Sequence, residues 1–171
     1  MTVARFLQRL DARGHGRREL LLEPGRSLVG NAGVLLTEVL YLKPDPEEYV
    51  GEGGRNFCIV DAAMNDLLRP AMYEAWMAIE PCVQRATPPR RWDVVGPVCE
   101  SGDWLGRNRL LAVASGDILA VLSAGAYGMA MASNYNTRPR AAEVMLDGEQ
   151  VHLIRERETV QALFAQERLI P

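Results

Sequence analysis

Lysine is almost missing from this 171-residue chain: Lys43 is the only one, and the remaining basic residues are all arginine. Chemistry that needs a side-chain amine is therefore confined to one position. Cysteine is sparse as well. Cys58, Cys82 and Cys99 form no C-x-x-C pair, and only His15 and His152 could assist them, so neither a zinc site nor a disulfide framework is indicated. Basic and acidic residues number 19 and 22, leaving a net charge of −3 with no basic block to follow a phosphate backbone, which argues against a nucleic-acid partner. The N-terminus has charges every few residues and lacks the unbroken apolar core of a signal peptide. An uncharged stretch from Ile118 to Thr137 is long enough to span a bilayer. It contains Ser123, Ser133, Asn134 and Asn136, however, and reads as buried strand and turn. A cytoplasmic protein is expected.

What is present fits one globular unit with some internal seams. Hydrophobic residues make up 48% of the chain and aromatics 6%, and a chain of this length buries roughly 70% of its extended surface without needing staples. Val3, Phe6, Leu7 and Leu10 fall at helical spacing before Gly14-His15-Gly16. Leu20-Leu21-Leu22 reads as a strand buried on both faces, opening into Glu23-Pro24-Gly25-Arg26. A helical turn fits Ser27 to Gly33, and Val34 to Lys43 is extended. The polar loop of Pro44-Asp45-Pro46 and Gly51 to Gly54 follows. Phe57 to Val60 is a short buried strand and Asp61 to Asn65 a turn. Asp66 to Met77 reads as a helix broken or begun at Pro70, and Thr87 to Arg91 as a loop.

Short apolar runs then recur, at Val94–Val98, Leu110–Val113 and Ile118–Leu122, with Ala142–Leu146 and Val151–Ile154 flanking Asp147-Gly148 as a hairpin with a type I′ turn. A helix from Thr159 to Arg168 closes the chain. The class is mainly β with some α, and the many short strands point to an antiparallel barrel or sandwich.

Taken singly, Arg26, the Arg69 and Tyr73 pair one helical turn apart, and Cys99 beside Glu100 each have bland structural readings: a surface charge, a packing pair, a small core residue with an exposed neighbour. Together the motifs say more. Glu23-Pro-Gly-Arg26 with Ser27 to Gly33 resembles the end of the eighth barrel strand in fold-type III decarboxylases that use pyridoxal phosphate. The strings Phe57 to Tyr73, Gly96-Pro-Val-Cys-Glu-Ser-Gly-Asp103, Ser123 to Gly128 and Ser133 to Arg140 resemble the diaminopimelate decarboxylases among them, in the same order along the chain.

The resemblance implies a C-terminal antiparallel β domain over residues 34–171, preceded over residues 1–33 by the last strand of a (β/α)₈ barrel. It implies decarboxylation of meso-diaminopimelate to L-lysine and carbon dioxide. Glu23 would partner the pyridine nitrogen, favouring its protonated form. Gly25, Arg26 and Tyr127 would meet the cofactor. Arg26, Arg69, Tyr73 and Tyr127 would bind substrate, Glu100 would face the distal ammonium, and Cys99 would give the proton that replaces carbon dioxide. No metal is implied. The family's lysine that binds the cofactor covalently belongs to the barrel and has no counterpart here, so the isolated chain is expected to be inactive. A homodimer is expected, with Cys99 and Glu100 serving the opposite subunit. Two alternatives remain open: a related arginine, ornithine or carboxynorspermidine decarboxylase, and a non-catalytic dimerisation or complementation module that would join a separate barrel half.

Overall fold

The computed structural model describes residues 2–16, 19–45 and 55–170. Strands at Val34–Lys43, Phe57–Val60 and Glu143–Asp147 stop at Pro44, Asp61 and Gly148. The chain order is α1 (Val3–Asp11), β1 (Val34–Lys43), β2 (Phe57–Val60), α2 (Arg69–Tyr73), β3 (Ile79–Pro81), β4 (Arg90–Val95), β5 (Trp104–Leu111), β6 (Ile118–Leu122), β7 (Glu143–Asp147), β8 (Gln150–Arg155) and α3 (Val160–Leu163). Six strands make one sheet in the order β3-β6-β1-β2-β4-β5. All neighbours are antiparallel except β2 and β4, which run parallel with Cys58 opposite Val94. The sheet curls until its two edges nearly meet: a Cβ added to Gly106 on β5 would lie 2.7 Å from Cδ1 of Ile79 on β3. The mainly antiparallel, barrel-like class expected from the sequence is the one found.

The core fills the inside of this curl. Val39, Val60, Val94, Leu105, Leu119 and Val121 lose all contact with solvent, and Leu67, from the turn before α2, closes one end. Along β1 the side chains alternate, so Thr37 and Val39 point inward while Leu36 and Leu40 stay exposed. Trp92 is 4% exposed and its indole Nε1 donates to the Leu111 carbonyl at 3.3 Å, which removes the cost of burying that polar handle.

Several expectations need correction. Leu20-Leu21-Leu22 is not a buried strand: these residues take no regular structure, and Leu21 and Leu22 are 84% and 59% exposed. A strand buried on both faces needs partner strands at both edges, and no described segment pairs with this one. The helix of the Asp66 to Met77 region is confined to Arg69–Tyr73, because Pro70 fits only the first turn and Glu74 ends it in the left-handed region at φ 52°. Thr87 to Arg91 is not all loop, since Arg90 and Arg91 already pair with Leu111 and Leu110. In the hairpin β7–β8, Asp147 pairs with Gln150, so Gly148 and Glu149 are the central residues. Only Gly148 has positive φ, as in a type II′ turn and not type I′. The closing helix is a single turn, α3, capped by the Thr159 side chain, which accepts from the Ala162 amide. The uncharged stretch is β6 followed by turns, and among the described residues no helix is long and apolar enough to cross a membrane. The polar loop expected over Pro44 to Gly54 falls largely outside the described residues.

Candidate functional site

Between β1 and the preceding segment the chain makes two short 3₁₀ turns, Gly25–Ser27 and Gly30–Ala32. They are clamped onto the loop that follows β6 by direct backbone contact. The Gly125 amide donates to the Gly30 carbonyl at 3.0 Å and the Ala124 amide to the Gly33 carbonyl at 2.9 Å. A Cβ on Gly125 would stand 2.0 Å from the Val29 carbonyl oxygen, and one on Gly33 2.5 Å from the Gly125 Cα, so side chains at either position would drive the segments apart. The clamp places Gly25, at φ 51°, under the Tyr127 hydroxyl, which lies 3.2 Å from where a Cβ of Gly25 would be.

Helix α2 supplies the opposite wall. Arg69 and Tyr73, one turn apart, face a cleft of about 610 Å³ that they share with Arg26, Asn31, Trp76 and Ser123. The Arg69 guanidinium also sits over the Tyr127 ring, 5.7 Å from its centroid. The structure thus brings Gly25, Arg26, Arg69, Tyr73 and Tyr127 together from three separate segments. Among the described residues, neither Arg26 nor Arg69 has a carboxylate partner. Two unpaired guanidinium forks and a tyrosine hydroxyl at a cleft make a donor set for phosphate or carboxylate oxygens. That donor set, with open backbone at Gly25, fits the phosphate end of a pyridoxal phosphate and a substrate carboxylate. Lys43, paired with Phe57 across β1 and β2, does not line the cleft. Glu23 is exposed just before the first 3₁₀ turn and does not line it either.

Cys99 and Glu100 lie elsewhere, on the loop of residues 96–103 between β4 and β5. Both are exposed and neither lines the Arg26 cleft. Glu100 borders a smaller hollow of about 250 Å³ with Trp104 and Arg107, and its Oε2 accepts from the Tyr135 hydroxyl at 3.3 Å. The three cysteines differ sharply in environment. Cys58 is fully buried and burial, with Asp117 adding to it, pushes its thiol up to about 12, so it is inert, whereas Cys82 and Cys99 are exposed.

The turn Asp61–Asp66 underlies both regions. Asp61 Oδ1 accepts from the Thr37 hydroxyl and the Glu38 amide at 2.6 and 2.8 Å, which fixes the turn to β1. Arg138 reaches across to donate through Nε to Asn65 Oδ1 at 2.8 Å, and its guanidinium is 3.6 Å from Asp66. Burial raises the Asp66 carboxyl above its usual range despite this neighbour.

Reasoning from sequence missed two side chains. Trp76 is 75% exposed on the cleft, with the Arg109 guanidinium stacked on its ring at 4.6 Å. Tyr135 is the hydrogen-bond partner of Glu100. The signal for Tyr135 was available in the Ser133-Asn-Tyr string. Trp76 sits in a run with no motif around it.

A curled, mainly antiparallel sheet that presents an anion-receptive cleft at a Glu-Pro-Gly-Arg turn defines a class. Residues 10–125 match the family model of the pyridoxal-dependent decarboxylase, C-terminal sheet domain, and the chain belongs to that family. More narrowly, it is 57% identical over 97% of its length to a diaminopimelate decarboxylase of Pseudomonas aeruginosa and 53% identical over 99% to one of Pseudomonas fluorescens. It spans about 39% of the length of each. A crystal structure of diaminopimelate decarboxylase from M. jannaschii in co-complex with L-lysine superposes with a TM-score of 0.83 at 39% identity, covering 99% of this chain and 37% of that one.

Proposed function

We propose that this chain is the C-terminal part of a diaminopimelate decarboxylase and supplies the substrate-reading half of its active site, within a cytoplasmic homodimer. The observation that carries the reading is the convergence of Arg26, Arg69 and Tyr73 on one cleft, with both guanidiniums lacking a carboxylate partner among the described residues. Diaminopimelate has an amino acid head at each end, and the distal carboxylate distinguishes it from ornithine, arginine and lysine. A site with two unpaired cations discriminates by leaving them unpaired when that carboxylate is missing.

Pyridoxal phosphate, when bound, supplies a protonated ring that accepts the electron pair left on Cα as the α-carboxylate departs as carbon dioxide. The chain's own residues do the rest. Glu23 holds the proton on the ring nitrogen. Gly25 admits the phosphate and Tyr127 donates to it and helps seat the substrate. Arg26, Arg69 and Tyr73 bind the distal carboxylate, and Glu100 pairs with the distal ammonium. Cys99 delivers its Sγ proton to Cα, so the broken C–C bond is replaced by a C–H bond. The only side-chain amine, Lys43, lies away from the cleft, so the isolated chain does not turn over substrate.

The test is to join the chain to the N-terminal portion of the Pseudomonas aeruginosa relative and follow carbon dioxide release. Meso-diaminopimelate is expected to be decarboxylated with kcat/KM at least about 10²-fold above lysine, ornithine or arginine, since an unmade charged contact costs about 1.5–3 kcal/mol. Arg69→Ala is expected to raise KM for diaminopimelate about tenfold or more while cofactor retention is unchanged. Equal turnover of ornithine would overturn the reading.

A further inference from the structure

The loop that carries Cys99 and Glu100 has no regular structure, yet it is fixed at both ends by one side chain. Asp103 is 4% exposed and each of its carboxylate oxygens accepts a backbone amide: Oδ2 from Val98, the residue preceding Cys99, and Oδ1 from Met64, in the turn that leads to α2, each at 2.7 Å. The loop closes on itself as well, with the Asp103 amide donating to the Glu100 carbonyl at 3.0 Å and the Gly96 amide to the Asp103 carbonyl at 3.2 Å. Gly96 is required for the fold-back, since a Cβ there would lie 2.5 Å from Asp103 Oδ2 and 2.6 Å from the Ala62 carbonyl oxygen. The same turn is tied to the far side of Glu100, because the Ser133 amide donates to the Asn65 carbonyl at 2.9 Å and Tyr135, two residues on, donates to Glu100.

We propose that Asp103 is a positioning residue for Cys99 and Glu100, holding their loop in register with the turn that leads into α2, the helix that carries Arg69 and Tyr73. The assignment rests on the roles given above to Cys99 and Glu100. A buried carboxylate is costly unless its lone pairs are used, and here both oxygens are used by amides of the two segments that must keep a fixed relation. An asparagine has the same shape but one carbonyl oxygen, and its NH₂ would face an amide donor. Asp103→Asn therefore keeps one tie and breaks the other, without removing a core side chain.

The experiment uses the 171-residue chain with Cys82→Ser, leaving Cys99 as the one exposed thiol. Asp103→Asn is expected to raise the iodoacetamide alkylation rate of Cys99 at least threefold and to speed amide exchange at Val98 or Met64 at least tenfold. Protection in β1 and β6 stays. Unchanged alkylation and exchange with the sheet intact would overturn the proposal. Should the variant fail to fold, exchange in the parent chain decides. Val98 and Met64 are expected to open together with protection factors within about threefold of each other, and a freely exchanging Val98 beside a protected Met64 would overturn it. In the joined enzyme Asp103→Asn is expected to lower kcat at least tenfold through Cys99 and to raise KM through Glu100. The alkylation and exchange readouts do not use decarboxylation, so an inactive joined enzyme would sink the functional reading without touching the tie that Asp103 makes between the two segments.

Discussion

The turn of residues 61–66 leads into α2 on one side of the Arg26 cleft and is bonded to Asp103 of the Cys99 loop, but the two regions are held by different forces. The cleft depends on close backbone approach: Gly33 and Gly125 let the segment before β1 touch the loop after β6, and among the described residues no ion pair pins that contact. The Cys99 loop depends on satisfied polar groups, with Asp103 bonded to Val98 and Met64. The cleft gathers cations without partners, while Cys99 and Glu100 are exposed outside it. A side chain that donates a proton must reach the reacting carbon. That Cys99 does not line the cleft of its own chain is in keeping with the proposed homodimer, in which each loop would complete the cleft of the other copy.

The largest effect that separates the two regions is expected from Gly125→Ala. Its Cβ would fall 2.0 Å from the Val29 carbonyl oxygen, an overpacking that costs about 1–3 kcal/mol and detaches residues 24–33. Limited proteolysis within that segment is expected to accelerate while Cys99 alkylation stays within about twofold of the parent. A change of the same size at both would show that the two regions are not independently held.

A smaller effect is expected in acid. The Arg140 guanidinium, the Arg140 amide and the Asn134 side chain all donate to Glu158, in that order of importance with the side-chain bond first, and hold its carboxyl down at about 2 against 4.5 when free. A folded value below the free value means the pairing is fully present above pH 4.5 and fades as pH falls toward 2. Burial raises Asp66 and Asp103, so their protonation as pH falls contributes in the opposite direction. Amide exchange at Arg140, whose N–H donates to Glu158 at 2.9 Å, is therefore expected to speed up between pH 4.5 and 2 beyond its intrinsic pH dependence, with β1 and β6 still protected. Glu158→Gln at neutral pH is expected to weaken the same amide. Arg140 protection unaltered at pH 2 would contradict the assignment.

Much of the sheet could be read locally. Val34–Lys43, Phe57–Val60 and Ile118–Leu122 form strands with the bounds that their apolar content and flanking Gly, Pro and Asp imply. The parallel pairing of β2 with β4 could not be read, because α2 and β3 intervene and register between distant segments leaves no local mark. Leu20–Leu22 misled for a related reason: apolar content signals burial somewhere, not burial by this chain's own residues. Of the candidate site, Gly25, Arg26, Arg69, Tyr73 and Tyr127 were named and grouped by motif resemblance alone. What the residues by themselves hid was the contact that groups them. Helical spacing puts Arg69 and Tyr73 on one face, but only the Gly33 and Gly125 contact brings Arg26 to them, and only the fold-back over Gly96 shows what Asp103 does. Trp76 was invisible because a lone exposed tryptophan has no pattern.

Mixing subunits tests the central claim, that Cys99 completes a site in another copy. In the joined enzyme, Cys99→Ala alone is expected to lower kcat about 10²–10⁴-fold with substrate and cofactor affinity nearly intact, since a proton donor acts after carbon dioxide has left. Subunits carrying Cys99→Ala are then exchanged with subunits whose cofactor-binding lysine in the N-terminal portion is replaced, and heterodimer formation is verified by mass. The mixture is expected to regain activity approaching one working site per heterodimer, because one cleft then has both its own lysine and the other chain's Cys99. Heterodimers that form and stay inactive would contradict it.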